Sequence, residues 1–184
     1  MTLANQLTLT RLILIPVFVV VYYLPFQWSH FGAAAVFTLA AITDWLDGYV
    51  ARKYDQSTPL GAFMDPVADK LMVAVAVVML VEYHSQPLFT IAAVIIIGRE
   101  IVISALREWM AELGKRASVA VSYVGKIKTT VQMLSIGLLL AFSPDWYGWL
   151  YHTGYVLFYL AAALTLWSMV IYLRAAWPDL MADE

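Results

Sequence analysis

Residues 32–51 read GAAAVFTLAAITDWLDGYVA, a run of twenty residues that is apolar until its last third. About twenty apolar residues are enough for a helix to cross the hydrocarbon core of a bilayer. Two carboxylates, Asp44 and Asp47, stand near the end of the run. Because a carboxylate inside a spanning helix costs about 2.5–3.5 kcal/mol on insertion scales, it marks a functional site by default. The stretch therefore predicts a membrane helix whose C-terminal end belongs to a site.

The composition of the whole chain is typical of a membrane protein. Of its 184 residues, 62% are hydrophobic and 13% are charged, whereas soluble domains have about 45–50% and 25%. These values exclude a water-soluble globule, and six spanning helices would leave too few residues for a separate soluble domain. We expect a single membrane domain over residues 1–184. Cysteine is absent, which excludes disulfides and thiolate metal sites.

Six apolar stretches divide the chain, and the breaks between them are rich in proline, serine and glutamine. They predict six transmembrane helices, near residues 8–25, 32–51, 61–82, 88–110, 120–142 and 147–173. Residues 1–11 are expected to form a short interfacial segment that leads into the first helix. The expected fold is an all-α integral membrane protein of six transmembrane helices, with both termini on the same side.

The positions of the basic residues predict which side that is. All eleven fall in the same half of this six-helix arrangement: Arg11, Arg52, Lys53, Lys70, Arg99, Arg107, Lys115, Arg116, Lys126, Lys128 and Arg174. The opposite connections, near 25–31, 83–87 and 143–147, contain no lysine or arginine. Because cytoplasmic connections carry the excess of positive charge, we expect both termini and the connections near 52–60 and 107–118 to be cytoplasmic.

Four aspartates form two pairs on consecutive helices. Asp44 and Asp47 lie about 60° apart around the second helix. Asp65 and Asp69 lie about 40° apart around the third. A short loop near residues 53–60 makes the two helices antiparallel neighbours, so the four carboxylates can converge at a similar depth.

Converging carboxylates need a cation, because like charges so close together repel and burial adds to their cost. Pairing with Arg52, Lys53 and Lys70 is one alternative, but it would neutralise only part of the cluster. Oxygen ligands alone, without cysteine or a helical histidine pair, suit Mg²⁺ or Mn²⁺. The cluster therefore predicts a divalent-metal site, with two ions able to share a carboxylate and hold phosphate oxygens.

The residues between these aspartates resemble a family signature. Residues 44–69 read DWLDGYVARKYDQSTPLGAFMDPVAD, which is D-x₂-D-G-x₂-A-R-x₈-G-x₃-D-x₃-D. All eight fixed positions match the signature of the CDP-alcohol phosphatidyltransferase family. The glycines and the alanine make physical sense there, because a nucleotide diphosphate must lie close to the backbone beside the metals.

The resemblance implies a role for each of these positions. The metal ligands would be Asp44, Asp47 and Asp65. Asp69 would be the general base and would contact metal as well. Four further positions would line the cytidine diphosphate site: Gly48, Ala51, Arg52 and Gly61.

The resemblance also implies properties of the whole protein. Members of the family have six transmembrane helices, are commonly homodimers, and bind two divalent metals and a CDP-linked lipid in a cavity that faces the cytoplasm. For a bacterial member we expect a multi-pass protein of the inner membrane, in contact with membrane lipids and without a nucleic-acid partner.

Basic residues on the fourth and fifth helices suggest a second anion site. Arg99 lies about 16 Å along the fourth helix from its outer end, and Arg107 lies about 80° further around that helix. Lys126 and Lys128 lie about 160° apart on the fifth helix, so both can hardly face one cavity, and we favour Lys126. Snorkelling to the inner interface is the alternative for Arg107 and the two lysines.

These cations favour a phosphorylated acceptor, because an uncharged amino alcohol would have no need for them. Residues 98–116, GREIVISALREWMAELGKR, resemble the branch of the family whose acceptor is sn-glycerol 3-phosphate. We therefore expect transfer of the phosphatidyl group from CDP-diacylglycerol to sn-glycerol 3-phosphate. The acceptor phosphate would be held by Arg99, Arg107 and Lys126. Pairing of the arginines with Glu100 and Glu108 is a purely structural alternative.

Two alternative functions stay open. The same family includes transfer to other acceptors, such as inositol phosphate, serine or a second phosphatidylglycerol. A divalent-cation transporter would instead use the four carboxylates as an ion path. A transporter, however, has no evident use for the eight-position motif or for fixed cations beside its ions.

Overall fold

The structure, a computed structural model, describes residues 3–54, 59–112, 114 and 123–181. At 3–5, 45, 47–54, 59–60, 62, 123–124, 126 and 179–180 it describes the backbone alone. Six helices form the described chain: α1 (Leu3–Tyr22), α2 (Ser29–Tyr54), α3 (Pro59–His84), α4 (Pro87–Glu112), α5 (Tyr123–Ala141) and α6 (Gly148–Leu180). Over these ranges the expectation of an all-α fold is confirmed.

The N-terminal segment differs from its prediction. Instead of an interfacial segment over residues 1–11 followed by a separate helix, α1 runs without a break from Leu3. The reason is local, since no glycine or proline occurs between residues 3 and 15 to end a helix. The side chains of Thr8 and Arg11, both 1% exposed, are buried against the neighbouring helices. At the other end, α6 continues to Leu180 instead of ending near residue 173.

Two helices are clearly apolar and long enough to cross a membrane, over Pro87–Glu112 in α4 and Gly148–Pro178 in α6. Shorter apolar stretches cover Gln6–Tyr22 in α1 and Ile127–Ala141 in α5. Large apolar side chains also face outward on several helices, for example Ile13, Val94, Val156 and Trp167. An outward apolar surface of this kind suits lipid better than water.

The helices form one bundle in which α1 packs against α2 and α3, α5 against α2 and α6, and α4 against α3 and α6. Phe18, Phe37, Phe89 and Phe158 are fully buried or nearly so in its main core. The contact of α5 with α6 depends on Gly154, where a Cβ atom would stand only 3.0 Å from the Cβ atom of Leu138. Small residues at such positions allow close helix contacts in membranes.

The two ends of the bundle differ in chemistry. Aromatic side chains gather at the end formed by the connections 23–28 and 142–147, where the rings of Trp28 and Trp146 meet edge to face at 5.5 Å. Toward the opposite end, α4 and α6 form a small apolar cluster that includes Ile103, Met110 and Tyr172. Ile103 and Tyr172 also line the cavity that carries charged residues of the candidate site.

Candidate active site

Two of the predicted carboxylates meet around an arginine of α1. The Nη1 group of Arg11 donates to Oδ1 of Asp44 on α2. Its Nη2 atom lies 3.9 Å from Oδ1 of Asp65 on α3, and Thr8 donates its hydroxyl to the same oxygen at 2.5 Å. Three helices therefore converge through charged and polar side chains at one point. Neither Arg11 nor Thr8 is among the site residues predicted from the sequence.

Asp69 lies at the junction of two concave surfaces. It lines a polar cavity between α3, α4, α5 and α6, and it also lines a groove between α2 and α5, together with Asp44. The groove has a volume of about 590 Å³. Its other lining residues are largely apolar: Phe37, Thr38, Ala41, Thr129, Thr130, Met133, Leu134, Gly137 and Leu138. Asp69 can thus face ligands in both spaces.

Several predicted site residues lie outside the described side chains. For Asp47, Gly48, Ala51 and Arg52 the structure gives the backbone within α2 and no side chain. For Lys126 the structure likewise gives the backbone, within α5, and no side chain. Gly61 is described, and it is buried near the start of α3.

The donor set around Arg11 suits a cation. Asp44 and Asp65 come from different helices and approach one positively charged group, with oxygen donors only. Oxygen donors of this type suit Mg²⁺ or Mn²⁺. Among the described side chains no group of three acids, histidines or cysteines is close enough to hold a metal. The further ligands predicted from the sequence are Asp47, whose side chain is not described, and Asp69.

The polar cavity has a volume of about 420 Å³ and a strongly charged wall. Its charged lining residues are Asp69, Lys70, Arg99, Glu100, Arg107 and Lys128. The uncharged polar ones are Ser104, Thr129, Gln132 and Tyr172. The Nζ group of Lys70 donates to the hydroxyl of Ser104, which ties α3 to α4 across the cavity. A small anionic molecule fits both the volume and the charge.

Tyr172 of α6 lies against both arginines of α4. The Nη2 group of Arg107 donates to the Tyr172 hydroxyl at 3.2 Å. The guanidinium carbons of Arg99 and Arg107 lie 5.7 Å and 5.2 Å from the centre of the Tyr172 ring. Since two guanidinium groups repel each other, contact with one electron-rich ring favours their close placement. Tyr172 therefore holds a pair of cations ready for an anion.

On α5, Lys128 is a further candidate for binding an anion in the polar cavity, besides the predicted Lys126. Lys128 is 1% exposed and lines the cavity, where its Nζ group donates to Oε1 of Glu100. The same carboxylate oxygen accepts from Nη1 of Arg99 at 3.2 Å. The sequence favoured Lys126 over Lys128 for this cavity, whereas the face of α5 that carries Lys128 forms its wall. The placement of Lys126 stays a prediction.

A signal for this face was present in the sequence. Gly125, Lys128, Thr129 and Gln132 recur at spacings of three and four, which is the repeat of one helix face. All four line the cavity. The spacing of these residues, and not any single lysine, identifies the wall. No comparable signal identifies Tyr172, because it stands in a long apolar helix far along the chain.

The chain is similar to known proteins over nearly its whole length. The family model described as CDP-alcohol phosphatidyltransferase matches residues 1–167. Curated relatives from Escherichia coli strain K12, Escherichia coli O157:H7 and Shigella sonnei are each 57% identical over 175 residues. The matched region covers 95% of this chain and 94% of each relative. All three relatives are named CDP-diacylglycerol–glycerol-3-phosphate 3-phosphatidyltransferase.

The contacts of Tyr172 generate a prediction. Tyr172→Phe, which removes the hydrogen bond to Arg107, should weaken binding of inorganic phosphate about fivefold, and Tyr172→Leu, which also removes the ring, should weaken it further. The measurement is the shift of the unfolding temperature with phosphate concentration. Tyr159→Phe, on the same helix but outside the cavity, is the matched control. Unchanged phosphate binding in Tyr172→Leu would contradict the role given to the ring.

Proposed function

The chain belongs to the CDP-alcohol phosphatidyltransferase family, and on this premise we propose that it transfers the phosphatidyl group of CDP-diacylglycerol to sn-glycerol 3-phosphate, with phosphatidylglycerophosphate and CMP as products. The relatives named for this reaction match almost the whole chain. The observation that carries the proposal is the position of Asp69 between a cationic cavity and an apolar groove. One space suits a small phosphorylated acceptor, and the other suits the acyl chains of a lipid.

The reaction is a displacement at phosphorus. The 1-hydroxyl oxygen of sn-glycerol 3-phosphate forms a bond to the phosphorus that carries diacylglycerol, and the bond from that phosphorus to the oxygen of CMP breaks. Asp69 accepts the proton of the attacking hydroxyl, because it borders the cavity in which the acceptor would lie. Placement of the two reactants at this junction supplies much of the rate.

The remaining binding roles follow the family signature. Asp44, Asp47 and Asp65, together with Asp69, would hold two Mg²⁺ or Mn²⁺ ions, which supply positive charge to the diphosphate when bound. Gly48, Ala51, Arg52 and Gly61 would line the cytidine diphosphate site. Arg99, Arg107 and Lys126 would hold the acceptor phosphate. Because Lys126 and Lys128 can hardly face one cavity, the burial of Lys128 in the cavity wall makes Lys128 the alternative to Lys126.

We further propose that residues 1–184 form one domain, a homodimeric protein of the bacterial inner membrane with six spanning helices and its active site facing the cytoplasm. The cavity is lined by Lys70, Arg99, Arg107 and Lys128, which belong to the half of the helix arrangement that carries the basic residues, and this supports the cytoplasmic orientation.

The proposed reaction is tested by release of CMP from CDP-diacylglycerol by the purified protein. CMP should appear only with sn-glycerol 3-phosphate, stop with a chelator and return with Mg²⁺ or Mn²⁺, because the carboxylates need their cations. Radiolabelled serine, inositol phosphate and phosphatidylglycerol are the acceptor controls. If the protein prefers one of these compounds, that compound replaces sn-glycerol 3-phosphate as the proposed acceptor. Metal flux into protein-loaded vesicles without CMP release would instead favour a transporter.

The base role of Asp69 predicts a separation of binding from turnover. Asp69→Asn keeps the size of the side chain but cannot accept the proton, so turnover should fall about 10²–10⁴-fold while CDP-diacylglycerol still binds. Initial rates and nucleotide protection against unfolding measure the two effects. Asp145→Asn, the same chemical change in the connection before α6, is the control. Normal turnover in Asp69→Asn would remove Asp69 from this role.

The orientation can be tested because the chain has no cysteine of its own. A cysteine introduced at Gln86, between α3 and α4, should react with a membrane-impermeant maleimide on intact cells. A cysteine at the exposed Glu112, at the end of α4, should react only after the cells are opened. The reverse pattern of labelling would invert the proposed orientation.

A further inference from the structure

Gln132 has an unsatisfied oxygen in the wall of the cavity. The residue lies on α5, is 2% exposed, and lines the polar cavity one turn after Lys128. Its Oε1 atom is buried and has no hydrogen-bond partner among the residues that the structure describes. Buried polar atoms in folded proteins nearly always have a partner, so an exception in a cavity wall indicates a place for a ligand.

The chemistry of the missing partner is restricted. An amide oxygen only accepts hydrogen bonds, so the ligand must present an O–H or N–H group to it. Two donors of the same α5 wall are directed elsewhere, since Lys128 donates to Glu100 and the Thr129 hydroxyl donates to the carbonyl oxygen of Gly125 at 3.0 Å. The cationic groups of the same cavity attract an anion. The wall therefore suits a molecule with an anionic group and a hydroxyl group.

We propose that Oε1 of Gln132 accepts a hydrogen bond from the 2-hydroxyl of sn-glycerol 3-phosphate and so selects a hydroxylated acceptor. This inference rests on the proposed function. The acceptor has three polar groups, of which the phosphate faces the cations and the 1-hydroxyl gives its proton to Asp69. The 2-hydroxyl is the donor that is left for Gln132.

The test compares two acceptors that differ only in this hydroxyl. 3-Hydroxypropyl phosphate keeps the phosphate and the reacting primary hydroxyl but lacks the 2-hydroxyl. The wild-type protein should use sn-glycerol 3-phosphate at least about tenfold better by kcat/KM, because a buried acceptor left unpaired is costly. In Gln132→Met, which has a similar shape and no amide oxygen, the ratio should fall to about one.

Two further variants distinguish recognition of the 2-hydroxyl from a purely structural role of Gln132. Gln132→Glu keeps an acceptor oxygen, so it should keep the preference even though its charge raises KM for both phosphates. Ser135→Ala removes a buried hydroxyl on the same helix that donates to the Gly154 carbonyl oxygen at 2.8 Å, outside the cavity. It should leave the ratio unchanged. If Gln132→Met does not elute as a folded protein, the ratio of kcat/KM for the two acceptors is measured in Gln132→Ala, which also lacks the amide oxygen but has a smaller side chain.

Two results would overturn the inference. The first is equal use of both acceptors by the wild-type protein, and the second is a preference that survives in Gln132→Met or Gln132→Ala. Either result leaves the proposed reaction intact, because CMP is still released with sn-glycerol 3-phosphate. By contrast, a wild-type protein that releases no CMP with either acceptor would refute the proposed function itself.

Discussion

The ion pair between a buried arginine and carboxylates of two other helices is the interaction on which the site depends. Arg11 contacts Asp44 and approaches Asp65, while almost none of its surface is accessible. Removing a charge from water is costly unless a partner compensates it, so these helices cannot easily separate without exposing or orphaning charges. The pair therefore fixes α1, α2 and α3 relative to each other at the depth where the signature residues begin.

This arrangement explains why two unlike spaces meet at Asp69. The pairing of α1, α2 and α3 leaves an apolar groove toward α5 on one side and a polar cavity toward α4 and α6 on the other. A lipid-linked substrate and a water-soluble one need different surroundings, and their reacting atoms must still come together. A single carboxylate at the junction can serve both without a large movement of helices.

Much of this could be predicted from the sequence, because the strongest signals are local. Apolar length and breaks gave the six helices, and the spacing from Asp44 to Asp69 gave the family. The contacts of Arg11 and Tyr172 could not be predicted, since they join residues 33 and 65 positions apart and depend on how each helix is rotated. The choice between Lys126 and Lys128 depends on rotation in the same way, because periodicity gives the angle between residues but not which face meets the cavity.

The charge of the cavity links the architecture to the choice of acceptor. Among the lining residues that the structure describes, four are cationic (Lys70, Arg99, Arg107 and Lys128) and two are anionic (Asp69 and Glu100), which leaves a formal charge of +2. A phosphate monoester carries a charge of about −1.5 to −2 at neutral pH. An acceptor phosphate would therefore nearly neutralise the cavity, whereas serine, with no net charge, would leave it strongly positive. Glu100 pairs with Lys128 and Arg99 and so lowers the positive charge of the wall. Without Glu100, the wall would hold more positive charge than one phosphate can balance.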